Sequence, residues 1–194
     1  MNKLLIATNN DHKLEEFKSI FKDLNFNVEV VSPKFFGCFD EPIEDGLTFE
    51  DNAYIKAKYY YNKFHLPTIS DDSGICIKYF KDYPGVHSSR FLKMDSYDNR
   101  NKYILELMKN VKDRTCLFHC CLCYINDEGE YKFYKGTLEG EISFESKGSY
   151  GFGYDSIFYL KEFNKTNAEL DEYGKNKISH RFKVIKEFVN DNIE

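Results

Sequence analysis

Five groups of residues in this chain have types and spacings that could do chemistry. Thr8-Asn9-Asn10-Asp11-His12-Lys13 falls where a short apolar run gives way to a helical pattern. Backbone N–H groups at a helix start attract anions, and a lysine in the first turn reaches a phosphate. The same residues also make an ordinary capped helix. They match neither G-x-x-x-x-G-K-[ST] nor G-x-G-x-x-G. Ser70-Asp71-Asp72-Ser73-Gly74 puts two adjacent carboxylates at an expected strand end. A hard cation such as Mg2+ takes one or two carboxylates together with substrate phosphates. An Asp so placed can also orient or deprotonate an attacking water. The alternative is a solvated turn with an Asx cap.

Glu41-Pro42-Ile43-Glu44-Asp45-Gly46 lies in a long acidic loop, which could complete a metal site, bring a lid carboxylate or simply stay solvated. Lys56 follows in the next helix, where an isolated lysine usually belongs to a solvated face. Gly148-Ser149-Tyr150-Gly151-Phe152-Gly153-Tyr154-Asp155 alternates glycines with aromatics. That pattern allows close backbone approach to a ligand and a stacking platform for a base, or simply a bend over core aromatics. Lys175 and Ser179-His180-Arg181 supply donors suited to a phosphate or a keto oxygen. Two further groups are decoys. Cys116, Cys120, Cys121 and Cys123 with His119 lie within one expected strand, whose alternation sends them to opposite faces. Their spacing is not that of a zinc site, and they read as small core residues. Ser73 and His180 invite a hydrolase triad, but there is no G-x-S-x-G elbow.

These groups need elements that bring them to strand ends, helix starts and loops. Lys3 to Ala7 reads as a buried strand. Asn10 or Asp11 caps a helix carrying Leu14, Phe17, Phe21 and Leu24, and Val28 to Val31 is a second strand, so the chain opens β-turn-α-β. Thr48-Phe49-Glu50-Asp51 resembles a capping box for a helix to about Phe64. Residues 67–70 lead into a strand ending at Asp71-Asp72-Ser73-Gly74, and Ile75 to Tyr79 is the next. Asp98 caps a helix through Ile104, Leu105 and Met108. Thr115 to Ile125 and Glu130 to Ile142 form a long hairpin, and His180 to Val189 an amphipathic helix with Phe182, Ile185, Phe188 and Val189 inward. This interleaving predicts a mixed α/β sheet.

Composition narrows the field. The 194 residues suit one domain, and 17% aromatic residues argue against disorder. With 27 Lys+Arg against 32 Asp+Glu, the net charge of −5 excludes a general nucleic-acid coat without excluding a small anionic substrate in a local basic cleft. No apolar stretch is long enough for a membrane span, and the first residues do not form a signal peptide. The six cysteines therefore read as reduced thiols of a cytoplasmic protein.

Taken in order, these blocks resemble a known family. They are Ala7-Thr8-Asn9-Asn10…Lys13…Glu16, Glu44-Asp45-Gly46-Leu47-Thr48-Phe49…Asn52-Ala53…Lys56-Ala57, Asp71-Asp72-Ser73-Gly74, Pro84-Gly85-Val86…Ser89-Arg90-Phe91, Gly151-Phe152-Gly153-Tyr154-Asp155, and Ala168-Glu169-Leu170…Lys175-Asn176…Ser179-His180-Arg181. The set is similar to the inosine triphosphate pyrophosphatases, the non-canonical purine NTPases of Ham1/RdgB-like type, over nearly the whole chain. The resemblance implies one ITPase-like domain over residues 1–194. It implies an elongated mixed β-sheet flanked by helices, in two lobes with a central substrate cleft, and a homodimer. It implies Mg2+-dependent hydrolysis of ITP, dITP and XTP to the monophosphate and pyrophosphate. Carried over by residue, Thr8, Asn9, Asn10, Asp11, His12 and Lys13 bind the triphosphate. Glu44 and Asp72 hold the metal, with Asp72 as proton acceptor. Lys56, Ser73 and Lys175 contact substrate, Phe152, Gly153, Tyr154 and Asp155 hold the base, and His180 and Arg181 read it. Two departures stand out: Asn9 and His12 replace the glycines of the bacterial T-G-N-x-G-K, and Ser156 replaces the usual proline after the base segment.

Overall fold

The computed structural model describes residues 3–93, 96–171, 174 and 178–192. Seven strands form one open mixed sheet in the order β2-β1-β3-β4-β5-β6-β7. β1 (Lys3–Ile6) runs parallel to β2 (Glu29–Val31) and to β3 (Thr68–Ile77). β4 (Thr115–Ile125) and β5 (Tyr131–Ile142) form the expected hairpin, closed by the Asn126 N–H on the Glu130 carbonyl at 2.9 Å. β6 (Phe158–Leu160) is antiparallel to β5, and β7 (Lys165–Thr166) to β6. No helix of the described residues is long and apolar enough to cross a membrane.

The chain divides into two compact units. The first comprises Met1–Asp72, Cys120–Gly136 and Arg181–Glu194, and the second Ser73–His119 and Thr137–His180. In the first unit, strand alternation turns Leu4 and Ile6 to one face and Leu5 and Ala7 to the other. α1 (Asp11–Asp23) and α4 (His180–Asn192) cover the first face, burying Phe17, Ile20 and Phe21 with Val184, Ile185, Phe188 and Val189 against Ile69, Cys120 and Leu122. α2 (Phe49–Phe64) covers the second, where Ala53 and Ala57 pack on Cys121, Cys123 and Ile125, and Tyr60 on Leu5, Ala7 and Val31. The cysteines are thus core residues split between faces, each buried and unpaired.

The helix starts follow from short polar side chains. The Asn10 side chain accepts the Lys13 N–H at 3.3 Å to begin α1. Thr48 and Asp51 each accept the other's backbone N–H at 3.1 Å, completing the capping box of α2. α3 (Tyr97–Leu107) departs from expectation. Its cap is Ser96, which accepts the Asn99 N–H at 3.2 Å, and Asp98 sits in the first turn, where its charge still favours the helix dipole.

A second departure concerns the acidic pair. The expected break at Asp71-Asp72-Ser73-Gly74 does not occur, and β3 runs unbroken from Thr68 to Ile77. Buried carboxylates persist inside a strand only when each finds donors, and both do. Gly74 serves space rather than a turn. A Cβ there would stand 2.3 Å from the Gly85 carbonyl oxygen and 2.5 Å from Ser88 Oγ.

The second unit has its own core of Ile75, Ile77, Ile104, Met108, Phe118, Leu138, Ile142, Ile157 and Phe158. Arg114 is buried beside it. Its guanidinium donates to the Ile142 and Ser143 carbonyls at 2.6 Å each and to the Met108 carbonyl.

Candidate active site

In the first unit, the turn after β1 is held by its own backbone. The Ala7 N–H reaches the Ile69 carbonyl at 2.7 Å, and the Asn10 N–H reaches Thr8 Oγ1 at 3.1 Å. Asn9 donates to the Phe39 carbonyl at 3.4 Å. Neither Asn9 nor His12 is among the residues with positive φ. The turn therefore asks for no left-handed residue at either position, so side chains can stand where glycines were expected. Asp11 pairs with Lys34 at 2.6 Å, and the hydrogen bond from that lysine lowers its carboxyl pKa.

Asp71 and Asp72 are adjacent on β3 and so face opposite sides of the sheet. Asp71 is 2% exposed and meets α1 and α4. Lys13 Nζ lies 3.1 Å from both of its oxygens, and Arg181 approaches Oδ2 with Nη2 at 2.9 Å and Nε at 3.3 Å. Arg181 Nη1 also donates to Glu16 Oε2 at 2.6 Å. Burial alone would raise the Asp71 carboxyl, but Lys13, Arg181 and Lys56 outweigh it and hold it well below the usual carboxylate range. Burial likewise opposes the Arg181 charge, and Glu16 and Asp71 more than restore it.

Asp72 meets α2 instead. Asn52, fully buried near the start of α2, donates from Nδ2 to Asp72 Oδ2 at 3.1 Å and accepts the Gly46 N–H on Oδ1 at 2.8 Å. One amide thus fixes Asp72 and the end of the acidic loop together. Gly46 permits this approach, since a Cβ there would stand 2.5 Å from Asp51 Cβ. Lys56 pairs with Glu44 at 2.8 Å, with only 12% of its side chain exposed, so it is not on a solvated face. Burial pulls the Lys56 ammonium down, but Glu44, Asp71 and Asp72 more than compensate and keep it charged. Burial pushes the Asp72 carboxyl up; Glu44 adds to this, while Lys56, Lys13 and the Asn52 bond oppose it. A carboxylate raised in this way is a better proton acceptor near neutral pH.

The donor set suits a cation that brings its own ligands. Among the described residues, no group of three or more His, Cys, Asp or Glu gathers into a ready metal cage. Glu44 and Asp72 feel each other and share Lys56. Two carboxylates of this kind match Mg2+, which keeps waters and takes phosphate oxygens, better than an ion held by protein alone.

The second unit carries the base-segment residues. Asp155 is buried and accepts the Phe152 N–H on Oδ2 at 2.9 Å and Asn167 Nδ2 on Oδ1 at 2.8 Å. Tyr154 is buried too. Its hydroxyl donates to the Ser88 carbonyl at 2.7 Å, so its ring belongs to the core, whereas Phe152 is half-buried. Gly148 needs its glycine: φ is +83°, and a Cβ would stand 2.2 Å from the Ala168 carbonyl. His180 stacks on Phe118 with centroids 5.0 Å apart. Ser73 is partly exposed on β3, and Lys175 lies outside the described residues.

Three residues quoted in the sequence blocks carry no assigned role in the expected site, yet each holds a site residue in place. Glu16 stands three residues after Lys13 on α1, Asn52 lies within the capping turn of α2, and Asp71 was eclipsed by its neighbour. Glu16 pairs with Arg181, 165 residues away, a contact that no local spacing signals.

Comparison with known proteins finds close likenesses over nearly the whole chain. Residues 4–191 match the Ham1 family model. A dITP/XTP pyrophosphatase of Desulfotalea psychrophila is 38% identical, with 95% of this chain and 82% of the relative covered. One from Listeria monocytogenes is 38% identical, with 100% and 96% covered. A HAM1 protein structure from Coxiella burnetii superposes with a TM-score of 0.88 at 34% identity, covering 98% of each chain. The Staphylococcus aureus Ham1 protein gives 0.85 at 34% identity, covering 97% of each.

Proposed function

The chain belongs to the Ham1 family, and on that premise we propose that it is a nucleoside triphosphate pyrophosphatase. It hydrolyses non-canonical purine nucleotides (ITP, dITP and XTP) to the monophosphate and pyrophosphate, removing them from the nucleotide pool. The observation that carries this reading is the buried Asp72, fixed by the Asn52 amide and set in the field of Lys56 and Lys13. A carboxylate so held is an oriented proton acceptor beside cations suited to phosphate.

Glu44 and Asp72 are the residues that would hold Mg2+, which when bound supplies Lewis-acid stabilisation of charge on phosphate oxygens. Asp72 orients a water and takes its proton as the oxygen bonds to the α-phosphorus. The bond from that phosphorus to the α–β bridging oxygen breaks, and pyrophosphate leaves with the electron pair. Thr8, Asn9, Asn10, Asp11, His12 and Lys13 position the triphosphate, while Lys13, Lys56 and Lys175 offset its charge and Ser73 adds a hydroxyl donor. Phosphoryl chemistry asks little more of a protein than such positioning and charge stabilisation. Residues 152–155 hold the base, and His180 and Arg181 donate to its 6-keto oxygen. Arg181 is suited to this because Asp71 and Glu16 fix its direction.

The functional unit is one domain over residues 1–194, which the extent of the family match supports. The enzyme acts in the cytoplasm as a homodimer. Its unpaired thiols favour a reducing compartment.

A substrate panel with Mg2+, reading pyrophosphate against orthophosphate, tests the reaction. Pyrophosphate from ITP, dITP and XTP but not from ATP is expected. Orthophosphate, or binding with no release, would overturn the reading.

A further inference from the structure

We propose that Asn101 and Asn167 are positioning residues for base recognition, clasping the base segment from two different elements; this rests on the pyrophosphatase reading above. Neither residue lies in the blocks that carry the family resemblance.

Within the second unit, Asn101 on α3 donates from Nδ2 to the Gly153 carbonyl at 3.0 Å and to Ser156 Oγ at 3.1 Å. Asn167, in the turn Asn167–Glu169, donates from Nδ2 to Asp155 Oδ1 at 2.8 Å. Asp155 passes this restraint on through Oδ2, which accepts the Phe152 N–H. Residues 152, 153, 155 and 156 are thereby tied to two separate parts of the scaffold. The ends of the loop are pinned as well: the Lys147 N–H bonds the Ser156 carbonyl at 2.9 Å, and Thr166 Oγ1 bonds the Lys147 carbonyl at 2.9 Å.

The amide orientations are dictated by chemistry. A carboxylate and a carbonyl only accept, so each asparagine must turn Nδ2 toward the segment. This leaves Oδ1 of both residues buried without a hydrogen-bond partner. Asn101 is 4% exposed and Asn167 1%. Burying an amide with half its capacity unmet is a poor choice for stability alone. It is a sensible one where the segment must be held in one conformation. Gly153 sits at φ +70°, a conformation that Asn101 stabilises at the carbonyl of the same residue. The amide does not need to touch the nucleotide; it acts through Phe152 and Asp155.

The test uses the whole chain with Asn167→Leu and Asn101→Leu, each close to isosteric. Two quantities are compared with wild type: KM for dITP, and Ki for inorganic triphosphate as a competitive inhibitor without a base. Losing one such hydrogen bond raises KM for dITP by about tenfold, with kcat and the triphosphate Ki within about twofold. Because both residues hold one segment, the double variant falls short of the product of the single effects. Parallel rises in KM and Ki, or a wild-type KM in both single variants, would overturn the proposal. Should one variant fail to fold, the other, on a different element, decides alone. Wild-type protein that releases no pyrophosphate from dITP would refute the pyrophosphatase reading instead, a separate outcome.

Discussion

Two neighbouring aspartates on opposite faces of one strand should respond to the same substitution in opposite ways. Asp71→Asn removes the charge shared by Lys13 and Arg181, whose side chains are 17% and 3% exposed. Arg181 would keep only Glu16 of the two carboxylates now paired with it. Breaking a buried ion pair from one side costs roughly 3–5 kcal/mol, because the partner charge stays buried. In a chain of this length each kcal/mol moves the melting temperature by about 2–4 °C, so the loss should be about 6–20 °C. Activity should fall chiefly through KM as Lys13 loses its anchor. Asp72→Asn is the opposite case. Burial works against the charge of Asp72, so the amide should leave stability within about 1 kcal/mol of wild type. Turnover should drop by roughly 10²–10⁴-fold with the loss of the proton acceptor. Thermal melts in EDTA, paired with pyrophosphate-release kinetics, read both quantities. An Asp71→Asn protein that melts with wild type, or an Asp72→Asn protein that falls as far as Asp71→Asn, would refute the division of roles.

Chelation with EDTA should abolish turnover and Mg2+ should restore it; Glu44→Gln should raise the Mg2+ concentration needed by about tenfold or more without lowering the melting temperature, and Mg2+-independent turnover would contradict the assignment. Burial pushes the Cys76 thiol up to about 11 and the Cys121 and Cys123 thiols up to about 12, and raises Cys116 and Cys120 as well. Folded protein at pH 8 should therefore react slowly with a disulfide reagent at Cys76, Cys116, Cys120, Cys121 and Cys123, whereas denatured protein exposes all six; two or more fast thiols in the folded state would count against the core reading. Light scattering should give a dimer mass, and a monomer mass at micromolar concentration would overturn the dimer reading.

Features set by neighbours in sequence were legible. α1, α2, the hairpin and α4 follow from apolar spacing, caps and one turn, all within a few residues of each other. What escaped was set by distant partners. β3 continues through two aspartates because Asp71 meets Lys13 from 58 residues before it and Arg181 from 110 residues after it. Without those partners, a turn is the cheaper place for two carboxylates. Helical spacing alone puts Lys56 on a solvated face for the same reason: its partner Glu44 lies in a loop with no periodicity to place it. The cap of α3 moved two residues because Ser96 and Asp98 are both competent, and local sequence does not rank them.

The ion pairs around Arg181 bear on how a purine is chosen. Inosine and xanthine present a keto oxygen at position 6, an acceptor, where adenine presents an amino group, a donor. On the proposed reading a donor in the site must meet that position. A flexible lysine could swing away from an amino group and soften the mismatch. A guanidinium held by Asp71 at 2.9 Å and by Glu16 at 2.6 Å cannot turn without breaking pairs in a buried setting. The clash with adenine is then not relieved, and the polar groups of the site are left unmatched, a penalty that separates substrates by factors up to about 10⁴–10⁵. Phe152 adds no such discrimination, since every purine offers it the same aromatic face. Guanine shares the 6-keto group, so its exclusion must fall on the 2-amino position and on other residues. In this scheme Glu16 and Asp71 act on specificity through the stiffness of Arg181, without contact with the base.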